Sequence, residues 1–193
     1  MANRRPYYRC PGDPLIKSVG TAAITAVKAA CGDAVVVAEM MSADWGRDQV
    51  ILAAEAGADI VLLIGPASVA SVSAAVGVGR RLGIPIILDV PAHARHPWVR
   101  DMERAGVDGL TITTNIDLGV GGRDPMSAAT TLRRWTQLPV SVSGGFSATD
   151  HHILSSPDWD VLVVGRSVTD AVDPAAAASR FAAHLTAYQQ GTR

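Results

Sequence analysis

The sequence has little lysine and little cysteine. Only two of its 193 residues are lysines, Lys17 and Lys28, whereas fifteen are arginines. A mechanism that needs an ammonium group therefore has almost no residue to supply it. The two cysteines, Cys10 and Cys31, cannot form a disulfide framework, which makes a reducing cytoplasm the expected compartment.

Long hydrophobic runs and a strong net charge are also missing. No apolar run reaches the roughly 18 residues that a membrane-spanning helix needs. The net charge of −1 provides no basic surface for nucleic acid or for an anionic membrane. With 48% hydrophobic and 18% charged residues, the composition is that of a globular protein. We predict one compact domain over residues 1–193, without a nucleic-acid or membrane partner.

A repeating unit of glycine followed by a short apolar run organises the chain. Gly32, Gly57, Gly83 and Gly106 each precede such a run, and two more runs lie near residues 139–142 and 161–164. Ala-rich segments with helical spacing, such as 48–55 and 67–81, lie between the runs. The period of about 25 residues fits one helix, one strand and two short loops. Alternation of this kind predicts parallel β/α units.

A closed barrel is favoured over an open sheet. No Gly-x-Gly-x-x-Gly follows the first strand, and we therefore also expect no organic cofactor. Polar residues gather where nearly every apolar run ends, which is typical of a (β/α)8 barrel of the TIM type. Six strands are clear and a seventh is plausible at residues 7–10, whereas a full barrel has eight. The barrel either lacks its first β/α unit or is closed by something else.

The last two strand ends predict a phosphate site. Ser143-Gly144-Gly145 and Gly165-Arg166-Ser167 follow the last two apolar runs, where barrels commonly hold phosphate. Glycines allow backbone N–H groups to approach an anion, the following helix offers its positive end, and Arg166 can add a charge-assisted contact. The alternative is that these glycines only make tight turns.

Acidic residues at earlier strand ends are the candidates for chemistry. Glu39 and Asp44 could bind a metal or act as a base, although Asp44 could equally cap the helix that follows it. Asp89 could orient a substrate hydroxyl or hold loop amides. Asp117 and Arg123 flank a glycine-rich loop that could close over a ligand or simply be solvated.

These motifs, in this order, resemble a known family. Gly12-Asp13-Pro14-Leu15-Ile16-Lys17, Glu55-Ala56-Gly57-Ala58-Asp59, Ile116-Asp117 and Gly122-Arg123-Asp124-Pro125 are part of the match, which continues through both predicted phosphate loops to Phe181. The chain resembles the group formed by 3-hexulose-6-phosphate synthase and 3-keto-L-gulonate-6-phosphate decarboxylase (KGPDC), within the orotidine 5′-monophosphate decarboxylase suprafamily. The resemblance implies a β/α-barrel homodimer that acts on sugar phosphates through an enediolate-type intermediate, usually with Mg²⁺. It also implies phosphate binding at Gly144, Gly145, Gly165 and Arg166.

The chain departs from this family at the catalytic positions. The family pattern Asp-x-Lys-x-x-Asp aligns with Glu39, Met41 and Asp44, so that methionine stands in place of the lysine. The family glutamate of the second strand aligns with Cys10, and the histidine of the sixth strand aligns with Thr113, which with Arg123 is a candidate substrate-binding residue. Glu39 is the candidate Mg²⁺ ligand, yet Glu39 with Cys10 would be a poor site because Mg²⁺ prefers oxygen ligands.

Two functions follow from these features. The first is a lyase-type enzyme, of the aldolase or decarboxylase kind, in which Glu39, Asp44, Asp89 and Asp117 replace the inherited groups. The second is a non-catalytic barrel that binds a phosphorylated ligand or joins a paralogous barrel as a heteromer. In the family the residue at the Asp44 position reaches into the neighbouring subunit's site, so such a chain could complete a paralogue's active site.

Overall fold

A computed structural model of the protein describes residues 8–114 and 125–191. The chain forms two compact units, Met1–Leu110 and Thr111–Arg193, which are described here one at a time. The single domain expected from the sequence stays a prediction. No helix within the described ranges is long and apolar enough to cross a lipid bilayer.

The first unit alternates strands and helices as the glycine-spaced runs predict. Its strands are parallel and adjacent in chain order: β1 (Tyr8–Arg9), β2 (Val35–Glu39), β3 (Ile60–Leu63) and β4 (Ile86–Asp89). Its helices are α1 (Asp13–Val19), α2 (Ala22–Ala30), α3 (Gly46–Glu55), α4 (Val69–Leu82) and α5 (His96–Ala105). The strand expected near residues 7–10 is present as β1.

The second unit continues the same pattern. Strand β5 (Gly109–Thr113) begins at the end of the first unit and is followed by β6 (Val140–Ser143) and β7 (Val161–Val163). β6 and β7 pair in parallel. Thr114, the residue after β5, donates its N–H to the carbonyl of Ser143, the last residue of β6, at 2.9 Å. The helices are α6 (Pro125–Arg133), α7 (His151–Leu154), α8 (Arg166–Thr169) and α9 (Pro174–Gly191).

Strands β2 and β4 present two different faces. Val36 and Ala38 of β2 are fully buried, whereas Glu39 lies with its half-buried neighbours on the opposite face. β4 repeats this arrangement, with Leu88 buried and Asp89 half-buried. Because side chains alternate along a strand, both carboxylates lie on the less buried face of the sheet.

Three aspartates fix the beginnings of alternate strands. Asp59 donates its N–H to the Val36 carbonyl at 2.9 Å and accepts the Val36 N–H on its carboxylate at 2.8 Å. Asp108 forms the same pair of bonds with Ile86, and Asp160 with Val140. Each aspartate just before one strand thus fixes the register of the preceding strand. We call these three pairs the aspartate clamps.

The clamp at Asp108 is the simplest to test, because this aspartate forms no ion pair with another described residue. Asp108→Ala removes the acceptor of the Ile86 N–H, and leaving a buried backbone donor unsatisfied costs about 1–3 kcal/mol. Asp108→Asn keeps an acceptor oxygen and should lose less. Urea unfolding of both variants measures the difference, and equal stabilities for the two would contradict the clamp.

Candidate functional site

The loop after β6 adopts a conformation that only glycine accommodates. Gly144 has a φ of 153° and Gly145 a φ of 54°. A Cβ on Gly144 would lie 2.1 Å from Oγ1 of Thr114, a separation far inside van der Waals contact. The loop backbone therefore passes directly against Thr114, and Gly144 is required by both space and conformation.

Backbone N–H groups of the two predicted phosphate loops have no acceptor among the described residues. Within the described ranges, no residue accepts a hydrogen bond from the N–H of Gly144, Gly145, Arg166 or Ser167. Gly145, Arg166 and Ser167 are exposed and Gly144 is half-buried, so an anion can reach this part of the protein surface. Successive free N–H groups in a glycine turn form an anion-binding concavity.

One hydrogen bond joins the two loops. The Ser167 hydroxyl donates to the Phe146 carbonyl at 2.5 Å, which connects the loop after β7 to the loop after β6. The Arg166 side chain beside it is exposed and forms no hydrogen bond or ion pair with another described residue. α8 is only four residues long and α7 begins six residues after Gly145. The positive helix end expected from the sequence therefore contributes little to anion binding. The groups that can bind an anion here are the free N–H groups and the Arg166 side chain.

Glu39 ends β2 as a half-buried carboxyl group. Its Oε2 accepts the backbone N–H of Asp13 at 3.1 Å, and a Cβ on Gly12 would lie 3.3 Å from the same oxygen. Burial raises the pKa of Glu39, the Asp13 N–H lowers it, and the Asp13 charge raises it further, with a net increase. A carboxyl group whose pKa is raised in this way can exchange a proton at higher pH than an ordinary glutamate.

The resemblance aligns Cys10 and Met41 with charged residues of the family, and this alignment stays a prediction. Desolvation of the thiol by the protein around it, together with the negative charge of Glu39, raises the pKa of Cys10 to about 12. The residue as a whole is nevertheless exposed to solvent. Cys10 is therefore a neutral thiol at physiological pH. Met41 is 37% exposed and adopts a φ of 44°, which is strained for a residue other than glycine.

Asp13 is a residue of this site that the sequence did not single out. Besides binding Glu39 through its N–H, its carboxylate pairs with Lys17 Nζ at 3.0 Å. The signal was present in Gly12-Asp13-Pro14, because proline marks the start of a helix and the N–H groups of a helix's first turn have no intrahelical acceptor. Lys17 is thus bound to Asp13 on α1 and stands mostly in solvent.

The described residues around Glu39 do not fit Mg²⁺. Nowhere in residues 8–114 or 125–191 do three His, Cys, Asp or Glu side chains group so that they could hold a metal ion. Near Glu39 lie the Asp13 N–H, the Cys10 thiol and the Asp13 carboxylate, which is paired with Lys17, whereas Mg²⁺ takes six oxygen ligands in octahedral geometry.

Asp44 was considered as the N-cap of α3, and this prediction is wrong by one residue. The residue that caps α3 is Trp45, in the left-handed conformation with a φ of 56° and without a side-chain cap bond. Oδ1 of Asp44 instead accepts the Trp45 N–H at 2.7 Å and the Ser71 hydroxyl at 3.3 Å. A Cβ on Gly46 would lie 2.3 Å from the Ser71 carbonyl oxygen, so the close approach of α3 to α4 shifts the cap by one residue.

The remaining candidates occupy strand ends or lie outside the described residues. Asp89 is two residues beyond Ile87, which is in register with Leu62 and, through it, with Glu39. Neighbouring strands lie about 4.8 Å apart, so the Cα atoms of Glu39 and Asp89, two strands apart on one face, are separated by about 10 Å or more. Thr113 ends β5 and is exposed. Asp117 and Arg123 fall outside the described ranges, and their roles stay predictions.

The two loop glycines offer a matched pair of substitutions. Gly144→Ala combines an unfavourable φ with a contact at 2.1 Å, so we expect a loss of about 2–5 kcal/mol in the free energy of unfolding. Gly145 has no heavy atom within 4 Å of its added Cβ, so Gly145→Ala should cost only about 1–2 kcal/mol for its positive φ. Urea unfolding distinguishes them, and equal losses would refute the close contact with Thr114.

Comparisons with known proteins bear on the fold and on the family. No protein-family model matches the chain. The 3-hexulose-6-phosphate synthase of Staphylococcus epidermidis is 27% identical over 171 residues, covering 88% of this chain and 81% of that protein. A crystal structure of KGPDC from Streptococcus mutans in complex with D-R5P has a TM-score of 0.86 at 21% identity, covering 94% of this chain and 86% of that one, and shows the fold alone.

The structure of 3-hexulose-6-phosphate synthase from Salmonella typhimurium is similar over nearly the whole chain. It superposes with a TM-score of 0.88 at 27% identity and covers 94% of this chain and 87% of that one. The predicted β/α-barrel class is therefore confirmed. The resemblance of the chain to the 3-hexulose-6-phosphate synthase and KGPDC group of the orotidine 5′-monophosphate decarboxylase suprafamily is confirmed as well.

Proposed function

We propose that the chain binds a phosphorylated sugar and holds its phosphate at the loops after β6 and β7. The observation that carries this proposal is the set of free N–H groups on Gly144, Gly145, Arg166 and Ser167, in loops joined by the bond from Ser167 to Phe146. Ser143 and Gly165 begin these loops, and the exposed Arg166 supplies a guanidinium group for charge-assisted bonds to phosphate oxygens.

The relatives support a sugar phosphate as the ligand. Several are named 3-hexulose-6-phosphate synthase, and the KGPDC neighbour was crystallised in complex with D-R5P. A five- or six-carbon ketose phosphate is therefore the first class of compound to test. The expected compartment is the reducing cytoplasm, where such metabolites are available.

We further propose lyase-type chemistry in which Glu39 transfers the proton. Its raised pKa suits a group that removes a proton from carbon and returns it to the product. Asp89 lies on the same face as Glu39 and is the next candidate carboxylate, while Asp44, Asp117, Thr113 and Arg123 complete the candidate set. Met41 offers no ammonium group to stabilise a developing enediolate, so this reaction depends on the carboxyl groups.

The second candidate function is binding without turnover. Methionine in place of the family lysine and the thiol of Cys10 beside Glu39 favour it. Such a chain would act as a homodimer that only binds its ligand, or as the partner of a paralogous barrel. The mass of the complex purified from its native cell distinguishes a homodimer from a heteromer.

Calorimetry with ribulose 5-phosphate, with and without Mg²⁺, tests the binding proposal. We expect saturable binding that ribulose does not reproduce. Arg166→Ala should weaken it by about 1–3 kcal/mol because a charge-assisted bond is lost. Arg180→Ala, which removes an exposed arginine of α9, is the control. Absence of binding to any pentulose or hexulose phosphate would reject the proposal, whereas binding without product formation would favour the second function.

Glu39→Gln tests the proton-transfer role together with the electrostatic cost of the site. The pKa of Glu39 is higher in the folded protein than its ordinary value of about 4.3. Between these two pKa values the unfolded chain ionises more readily than the folded protein, so the free energy of unfolding falls as pH rises through this range. The glutamine variant should therefore be more stable than the parent at neutral pH, while any turnover falls by about 10²- to 10⁴-fold. Thermal melts at pH 4 and pH 7 show the effect, and a variant that is less stable at pH 7 would contradict it.

A further inference from the structure

The Ser167 hydroxyl donates its proton to another part of the protein, although the residue is exposed to solvent. It donates to the Phe146 carbonyl at 2.5 Å, which is at the short end of hydroxyl-to-oxygen bonds, across 21 residues of sequence. Both residues belong to the second unit. A hydroxyl has one proton, so this side chain has none left for a ligand.

The acceptor of this bond is rigidly held. The Phe146 side chain is only 3% exposed, so its ring anchors the loop after β6 in the core. On the other side of Phe146, the Asp150 carboxylate accepts the Ser147 N–H at 2.7 Å. The bond from Ser167 therefore reaches a fixed point of the backbone directly after Gly145.

The donor of the bond, Ser167, lies next to the free N–H groups of the loop after β7. Ser167 follows Arg166 directly, and both lie in the first turn of α8, where their N–H groups have no acceptor in the described part of the chain. The bond thus connects the peptide units that carry the free N–H groups of one loop to those of the other. Within the described part of the chain, no other hydrogen bond joins these two loops.

We propose that Ser167 is a positioning residue of the phosphate site, whose hydroxyl fixes the separation between the N–H groups at Gly144 and Gly145 and those at Arg166 and Ser167. This inference rests on the proposed phosphate-binding function. A phosphate dianion needs donors, and the Ser167 hydroxyl has already donated, so its side chain acts through the backbone. Donors held in place before binding lose less conformational freedom when the ligand arrives, which increases affinity.

The test compares Ser167→Ala with Ser167→Thr in the full chain. Ser167→Ala removes the bond, and we expect about 3- to 10-fold weaker binding of ribulose 5-phosphate and of inorganic phosphate. Ser167→Thr keeps a hydroxyl and should restore affinity to within about twofold of the parent. In the ligand-free protein, the amide resonances of Gly144 and Gly145 should shift in the alanine variant and return in the threonine variant.

Ser179→Ala is the matched control, because the Ser179 hydroxyl also donates to a backbone carbonyl, that of Ala175, but within α9. It should change neither the affinity nor the Gly144 and Gly145 resonances. If Ser167→Ala binds as tightly as the parent, the positioning role is wrong although phosphate binding stands. If the parent binds no phosphate compound, the proposed function fails, and the amide shifts still decide whether Ser167 holds the two loops together.

Discussion

The aspartate clamps are the constraint on which the positions of the strand ends depend. A parallel strand that slips by one residue presents every side chain to the opposite face. The clamp between Asp59 and Val36 prevents this in β2, and the register that follows pairs Glu39 with Leu62. Glu39 thereby falls on the less buried face and Ala38 on the fully buried one. The chemistry at the carboxyl end of this strand is thus set by a hydrogen bond at its beginning.

The clamp at Asp59 also explains how one of the two lysines is used. Lys28 Nζ binds the Asp59 carboxylate at 2.5 Å. Partial desolvation opposes ionisation of Asp59, yet the bonds from Lys28 and from the Val36 N–H outweigh it and lower the pKa of this carboxyl group. The other lysine, Lys17, is paired with Asp13. Both lysines are therefore engaged in ion pairs of the first unit, and neither replaces the ammonium group missing at Met41.

The sequence predicted strands and helices well because their signals are local. The short apolar runs located each strand to within about two residues, the usual precision for element boundaries. The start of α3 was less predictable, since it depends on Gly46 packing against the Ser71 carbonyl of another helix. The contacts of Asp13 with Glu39 and of Ser167 with Phe146 join residues 26 and 21 positions apart. No pattern of neighbouring residues encodes such contacts, so they emerge only from the fold.

Binding and chemistry place different demands on this chain. The proposed phosphate site uses backbone N–H groups, which every residue but proline has, so its loops retain the site as long as Gly144 and the Ser167 bond hold their shape. The proposed chemistry at the strand ends of the first unit depends instead on side chains, so a single substitution there can remove a required group. Burial raises the pKa of Glu39 and so makes its ionised form costly to the folded protein. The proposed proton transfer would account for a carboxyl group at a position where its ionised form lowers stability.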